Sequence, residues 1–400
     1  MVKAVGIDPG TKSFDIVLIE GDRVLAEKSI PTIEIAENPR VLVDTIKELK
    51  DFDIIAGPSG YGTPIICNDD IIDAKTFAME ILLLTHENEI KEGIKRGEIG
   101  IAVYKAIADT VYEFWKMRLP VCYIPSIILL PTIPDYRKLN KIDMGTADKL
   151  SVTVLGVYDQ STRLGVRYDE TSFILVEMGY GYNAIIAVEK GRIIDGLGGT
   201  LTPMGFLTIG PIDAEAVVLG KTWPRFSVFY GGVSTICKTF SIEEALDKAR
   251  KDDICRMGFE AMFESIRKGV KALSASMTKK PREILLSGRL TRIPEIYYKV
   301  KKMLENIAPV ERIRGLKGAR IAKEAAQGYA IIGEGIGKGY FRDLIKYMGI
   351  LDAKRTVLSW VYHPLLNNAK KKLVEAYKRA IRQEAVKRIL SREDLMILEQ

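Results

Sequence analysis

The amino-acid sequence predicts an α/β protein made of two matching halves, and three observations carry that prediction. The chain opens on an antiparallel β-meander over residues 2–30, followed by a helix and by short apolar runs of the kind that buried parallel strands show. The same strand–turn–strand–turn–strand order returns over residues 172–195. A length of 400 residues also exceeds what one core ordinarily holds, so at least two domains are expected. The expected segments are 1–140, 141–340 and a C-terminal helical extension, 341–400.

Residues 2–8 and 14–20 read as strands around a tight turn, and Gly21-Asp22 leads into a third strand, 23–30. Residues 38–50 read as a helix, with Pro39 suited to its first turn. An apolar strand over 53–57 ends in the irregular loop 58–64. A helix over 101–117 and a strand over 121–124 follow. The second half starts with a helix over 146–156, for which Thr146 is the candidate cap. Strands over 172–177, 183–189 and 192–195 then repeat the opening meander. Helices are expected over 213–219, 242–251 and 254–276, then a strand over 283–286 and helices over 294–306 and 322–332. The last of these is rich in small residues and can pack closely. Residues 365–395 read as one long helix, apolar at Leu366, Ala369, Leu373, Ala376, Tyr377 and Ala380 and basic on its outer face. Docking on the body is the expected use of that stripe, with a homodimer or an RNA contact as alternatives.

Composition narrows the class. A hydrophobic share of 47% fits a packed globular protein and excludes a disordered one. No run approaches the roughly 18 apolar residues of a membrane span. Met1-Val2-Lys3 leads straight into a strand, so no secretory signal is expected and the cytoplasm is the expected location. The net charge of +7 suits an anionic ligand such as ATP without deciding anything further. Neither a membrane nor a nucleic-acid partner is expected. Cys67, Cys122, Cys237 and Cys255 are far apart, and His86 and His363 are the two histidines. A zinc site is therefore not expected, and buried reduced thiols are. Scarce Gln with abundant Lys and Glu leans toward a thermophilic source.

Three turns carry the chemistry. In Gly6-Ile7-Asp8-Pro9-Gly10-Thr11-Lys12-Ser13, Gly10 lets backbone N–H groups approach phosphate oxygens. Thr11 and Ser13 add hydroxyls, Lys12 adds a positive charge, and Asp8 stands where it could hold Mg²⁺ through water. A second turn has the same form: Glu177 ends a strand, Gly179-Tyr180-Gly181 turns, and Asn183 opens the next strand. The third is Ser287-Gly288-Arg289, where an apolar strand stops before a helix and a nucleoside could lie against backbone. Each alone also reads as an ordinary connection. All three in this order describe an ATP clamp between two halves.

The arrangement resembles the acetate and sugar kinase, actin and heat-shock chaperone superfamily, with two phosphate motifs and an adenosine motif in this order. Within it the likeness is to the butyrate kinase branch, and more specifically to an uncharacterised archaeal family of predicted butyrate kinases. The matching segments are Gly6–Ser13, Gly57–Ile65, Lys141–Leu150 and Val176–Gly199. The resemblance implies two ribonuclease-H-like halves, a duplicated actin-like ATPase fold with the nucleotide between them. It also implies ATP and Mg²⁺ as cofactors, a small-molecule substrate, and a substrate loop at Ser59, Gly60 and Tyr61. The implied activity is transfer of the γ-phosphoryl group to a small acceptor, possibly a carboxylate, with Asp8, Lys12 and Asp148 as catalytic residues. Asp148 would act as a base or hold a metal-bound water, unless it is simply an acid favoured at a helix start. Hinges are expected near residues 135–145 and near 330.

The sequence departs from the acyl kinases in its phosphate-2 acid, Glu177, in its adenosine turn, Ser287-Gly288 rather than a double glycine, and in two further places. Their substrate loop usually carries an arginine, where Gly57-Pro58-Ser59-Gly60-Tyr61-Gly62 has none. They place an aspartate after the strand matching 121–124, where Pro125-Ser126 stand. A non-phosphorylating ATPase or ATP sensor is thus one alternative. The Gly6–Gly10 segment also resembles the start of Holliday-junction resolvases, which makes a two-metal nuclease the other.

Overall fold

Two sheets share one strand plan. The computed structural model describes residues 1–98 and 100–398. The first sheet comprises β1 (Lys3–Pro9), β2 (Ser13–Glu20), β3 (Arg23–Pro31), β4 (Ile54–Ala56), β5 (Ile66–Cys67) and β6 (Val121–Tyr123). The second holds β7 (Ser172–Met178), β8 (Asn183–Glu189), β9 (Arg192–Leu197), β10 (Glu283–Ser287) and β11 (Val310–Arg312). The orders are β3-β2-β1-β4-β6-β5 and β11-β10-β7-β8-β9. Read from its meander, the second sheet is β9-β8-β7-β10-β11, the arrangement of the first without β5. In each, an antiparallel meander precedes parallel strands on the inner side. The strands β5 and β11, two and three residues long, were too short to leave a periodic signal.

Apolar strands explain both cores. Val5, Ile7, Phe14, Ile16 and Val17 are fully buried in the first half, as are Ile174, Val176, Ile185 and Ile284 in the second. Between the sheets lie two nearly buried helices. Glu324–Ile336 packs on β1, β2 and β4, and Ala147–Leu164 packs on it and on the second sheet. The molecule is thus layered as sheet, helix, helix, sheet. Glycine allows the close crossings. A Cβ on Gly6 would sit 2.2 Å from Ala326 O, and one on Gly328 would sit 1.9 Å from Ser151 O. Gly6, read by sequence as part of the phosphate turn, is therefore a helix-packing glycine. Residues 324–336, placed by sequence with the second half, lie on the first sheet.

The cysteines correct the sequence reading. They form the disulfides Cys67–Cys122 and Cys237–Cys255, with Cα–Cα separations of 3.9 and 4.5 Å. Cys67 and Cys122 stand directly opposite on antiparallel β5 and β6. Their separation of 55 residues hid that register.

The tail is likewise not one helix but three, Asn367–Ala380, Gln383–Ile389 and Arg392–Met396. Ile381 is extended because it bridges to Ile71, and Arg382 N donates to Asp70 O at 2.8 Å. Ser391 starts the last helix through a reciprocal cap with Asp394. The tail docks on the first half. Thr63 and Tyr377 hydroxyls lie 3.0 Å apart, and Arg379 and Arg388 pair with Glu80 and Asp70, each at 2.7 Å. Among the described residues no helix is long and apolar enough to cross a membrane.

Candidate functional site

The strand register decides where the three turns meet. Asp8 lies opposite Asp15 across β1 and β2, and Glu177 lies opposite Ala184 across β7 and β8. Ser287 pairs in parallel beside Glu177. The two glycine turns close identically. Gly10 N donates to Ser13 O at 3.1 Å, and Gly179 N donates to Tyr182 O at 2.9 Å. The glycine N–H groups are therefore consumed inside the turns, which leaves the next residues, Thr11, Lys12, Tyr180 and Gly181, to present N–H groups to a ligand. The turns face each other closely, since a Cβ on Gly181 would stand 3.4 Å from Thr11 Oγ1.

A cleft of about 520 Å³ runs between them. Asp8, Gly10, Thr11, Lys12, Gly60 and Tyr61 line it from the first half. Asp148, Glu177, Gly179, Tyr180, Gly181, Asn183, Ser287, Gly288 and Arg289 line it from the second. Two residues that the sequence assigned to the site are turned away. The Ser13 hydroxyl donates to Asp15 Oδ1 at 3.0 Å and accepts from Arg289 Nη2 at 3.1 Å. The Ser59 hydroxyl donates to Gly57 O at 2.8 Å and accepts from Ile124 N at 2.9 Å, fixing the loop to β6. Thr146 caps no backbone N–H; its hydroxyl donates to Asp148.

Asp8, Asp148 and Glu177 each meet a lysine that the sequence did not assign to the site. Lys323 Nζ lies 2.8 Å from Asp8 Oδ2 and 3.8 Å from Asp15 Oδ2, arriving from 315 residues away. Burial, then Asp148 and Asp15, push Asp8 above the usual carboxylate range against the pull of Lys323. Lys149 Nζ lies 2.6 Å from Asp148 Oδ2 and 3.0 Å from Glu177 Oε2. Burial would raise Asp148, but Lys149 and the Thr146 hydroxyl bring it below its ordinary value, so it stays ionised. Burial dominates at Glu177 and pushes it up to about 7. The Lys149 ammonium is the partner of Glu177 Oε2. Asn183 Oδ1 and Ser287 Oγ are buried without a partner among the described residues. Two polar atoms on this wall thus await something polar.

Lys12 stands 3.8 Å over the Tyr180 ring, and burial beside Arg289 lowers its pKa. Gly288 adopts φ +94°, and a Cβ there would lie 2.4 Å from Met178 O. Only glycine lets β10 turn away so close to the second phosphate turn. Further residues on the wall, which sequence reasoning did not single out, are Asp143, Tyr104 and Arg225.

The donors fit a nucleotide. Magnesium is commonly held by one or two carboxylates together with phosphates and water. Among the described residues no three Asp, Glu, His or Cys side chains gather around one point. Asp8, with Glu177 facing it, is the donor set that could hold the ion between phosphates.

Known proteins resemble the chain along most of its length. A "Probable butyrate kinase" of Clostridium botulinum is 21% identical over 347 residues, spanning 77% of this chain and 91% of the relative. One of Listeria monocytogenes is 23% identical over 321 residues, spanning 72% and 85%. Among solved structures, a propionate kinase from Francisella tularensis aligns with TM-score 0.56 at 13% identity, covering 82% of this chain and 98% of that one. Porphyromonas gingivalis acetate kinase aligns with TM-score 0.55 at 15% identity, covering 84% and 100%. The fold is therefore that of the acetate and sugar kinase, actin and heat-shock chaperone superfamily. Residues 6–363 match the family described as "Protein of unknown function (DUF1464)", and the chain belongs to that family.

Proposed function

We propose that this member of the family is an ATP-dependent phosphotransferase that passes the γ-phosphoryl group of Mg-ATP to a small carboxylate. The observation that carries the reading is the convergence on one cleft of two identically closed glycine turns, one from each half, and the Ser287-Gly288 turn, beside the unpartnered buried oxygens of Asn183 and Ser287. Phosphoryl transfer asks a protein mainly for positioning and charge stabilisation. The turns supply N–H groups from Thr11 to Lys12 and from Tyr180 to Gly181. Lys12, beside Arg289, faces developing phosphate charge, and Lys323 keeps Asp8 fixed in place. Magnesium, when bound, would neutralise phosphate charge. Asp148 is tied to Lys149 and ionised. It is a poor proton acceptor, and a carboxylate acceptor needs none because it is already an anion.

The test gives purified protein Mg-ATP with short carboxylates, sugars and polyols and follows ADP release. Carboxylate-dependent ADP release supports the reading. Release without any acceptor would identify an ATPase instead, for which the absence of an arginine from loop 57–62 is the motive. The nuclease reading gains no support, because a two-metal site needs clustered acids and no three gather around one point among the described residues.

A further inference from the structure

Beyond the phosphate turns the cleft is walled by side chains that phosphate does not need. Leu83, Val103 and Tyr104 stand on one side, with Tyr182, Arg225 and Phe229 on the other. Some tyrosine hydroxyls elsewhere reach protein partners: Tyr158 donates to Asp22, Tyr180 to Phe240 O, Tyr347 to Lys190 O, and Tyr377 meets Thr63, whereas the buried Tyr123 hydroxyl meets none among the described residues. The hydroxyls of Tyr61 and Tyr182 have none among the described residues. Both phenols stay protonated donors, Tyr61 through Tyr104 and burial and Tyr182 through burial. Arg225 is anchored by donating to Leu84 O, and its Nε lies 3.4 Å from Glu89 Oε2 without a hydrogen bond among the described residues. Its guanidinium lines the same cleft as the Tyr61 and Tyr104 phenols. Asp143 completes the set. One of its oxygens accepts from Gly145 N at 2.7 Å, and it lines the same cleft as Tyr61 and Tyr182.

We propose that this outer part of the cleft is the acceptor site and that it selects a carboxylic acid bearing its own hydroxyl group, with Arg225 meeting the carboxylate and Tyr61, Tyr182 and Asp143 meeting the hydroxyl. The inference rests on the phosphotransferase reading above and deepens it. Arg225 supplies from the second half the cation that loop 57–62 lacks. A plain alkyl acid satisfies Arg225 alone and strips water from two phenols and a carboxylate without replacing it. A site built to bond a substrate hydroxyl rejects the analogue lacking it strongly. In the transfer, a carboxylate oxygen of the acceptor forms a bond to the γ-phosphorus. The bond from that phosphorus to the β–γ bridging oxygen breaks, ADP leaves with the electron pair, and an acyl phosphate results with no proton abstracted.

The experiment compares butyrate with its hydroxy derivatives, and phenylpropionate with its ring-hydroxylated form, under Mg-ATP. Hydroxylamine traps any acyl phosphate as hydroxamate. Expected is a kcat/KM for at least one hydroxy acid about 100-fold above its alkyl partner, falling at least about tenfold toward it in Tyr61→Phe and in Tyr182→Phe. Binding of Mg-ADP, read in parallel, reports whether each variant keeps its fold. Should a variant lose its fold, calorimetric titration of wild-type protein with each acid pair decides instead: preference for the hydroxylated member supports the proposal and equal affinity overturns it. Equal turnover of alkyl and hydroxy acids overturns the proposal while leaving the phosphotransferase reading intact. So does a hydroxylamine-stable product, which would place the phosphoryl group on the hydroxyl. ADP release that ignores every acceptor overturns both.

Discussion

The two phosphate turns are closed by the same hydrogen bond yet equipped differently. At matching positions the first carries Lys12 where the second carries Gly181, and Asp15 where the second carries Ala184. The first acid, Asp8, shares Lys323 with Asp15, its partner across the strands, whereas Glu177 shares Lys149 with Asp148, the residue beside that lysine in sequence. Duplication preserved the backbone device and let the charges diverge. The first turn is a preset charge cluster. The second is a nearly neutral wall, because Glu177 sits at about 7.

That asymmetry can be broken by experiment. Asp8→Asn should lower phosphotransfer kcat on the order of a thousandfold, since it removes a charge from a preorganised site. Glu177→Gln, which replaces a half-protonated acid by an isostere, should cost about tenfold. Equal losses in single-turnover kinetics would show that the turns are equivalent after all.

The disulfides extend the comparison to the two halves. Cys67–Cys122 closes 55 residues and Cys237–Cys255 closes 18. Loop-closure entropy then gives about 4 kcal/mol in the first half and about 3 kcal/mol in the second. Replacing each pair by alanine and melting in denaturant checks the order, and a greater loss from the second pair would reverse it.

Gly288→Ala should destabilise by about 2 kcal/mol, because its backbone region is nearly glycine-only, and it should raise the KM for ATP. Gly181→Ala, whose added Cβ meets Thr11 Oγ1 at 3.4 Å, should be milder by thermal melt and kinetics.

The smallest effect is in pH. Burial raises Glu177 from 4.5 to about 7 in the folded chain, so the unfolded chain loses this proton first. The stability from this group is present below pH 4.5 and declines as pH rises toward 7. Glu177→Gln should flatten that part of the Tm–pH curve. An unchanged curve would place the titration elsewhere.

Much of this plan was legible because it is local. An acid, a glycine two positions on and a following strand can be read from Asp8–Ser13 and again from Glu177–Asn183. The parallel strands β4, β6 and β10 were legible as apolar runs, and β11 was not. What stayed hidden depends on register and on long loops. No spacing links Lys323 to Asp8, and nothing in sequence turns Arg225 toward Tyr61. The Cys67–Cys122 pairing follows from β5, too short to notice. Ser13 and Ser59 have the right chemistry at the right offset, but Asp15 and Arg289 hold the Ser13 hydroxyl, and Gly57 and Ile124 hold that of Ser59. In the tail, apolar spacing was read correctly as a docking face, while the break at Ile381 comes from a tertiary partner, Ile71.

The helix crossing at the centre has a mechanical consequence. Where Gly6 meets Ala326 and Gly328 meets Ser151, main chain rests on main chain with no interdigitated side chains. A few degrees of rotation about such a joint disturbs few rotamers, unlike sliding along a ridged interface. Both glycine crossings lie at the helix layer between the two sheets, so the halves meet there backbone against backbone.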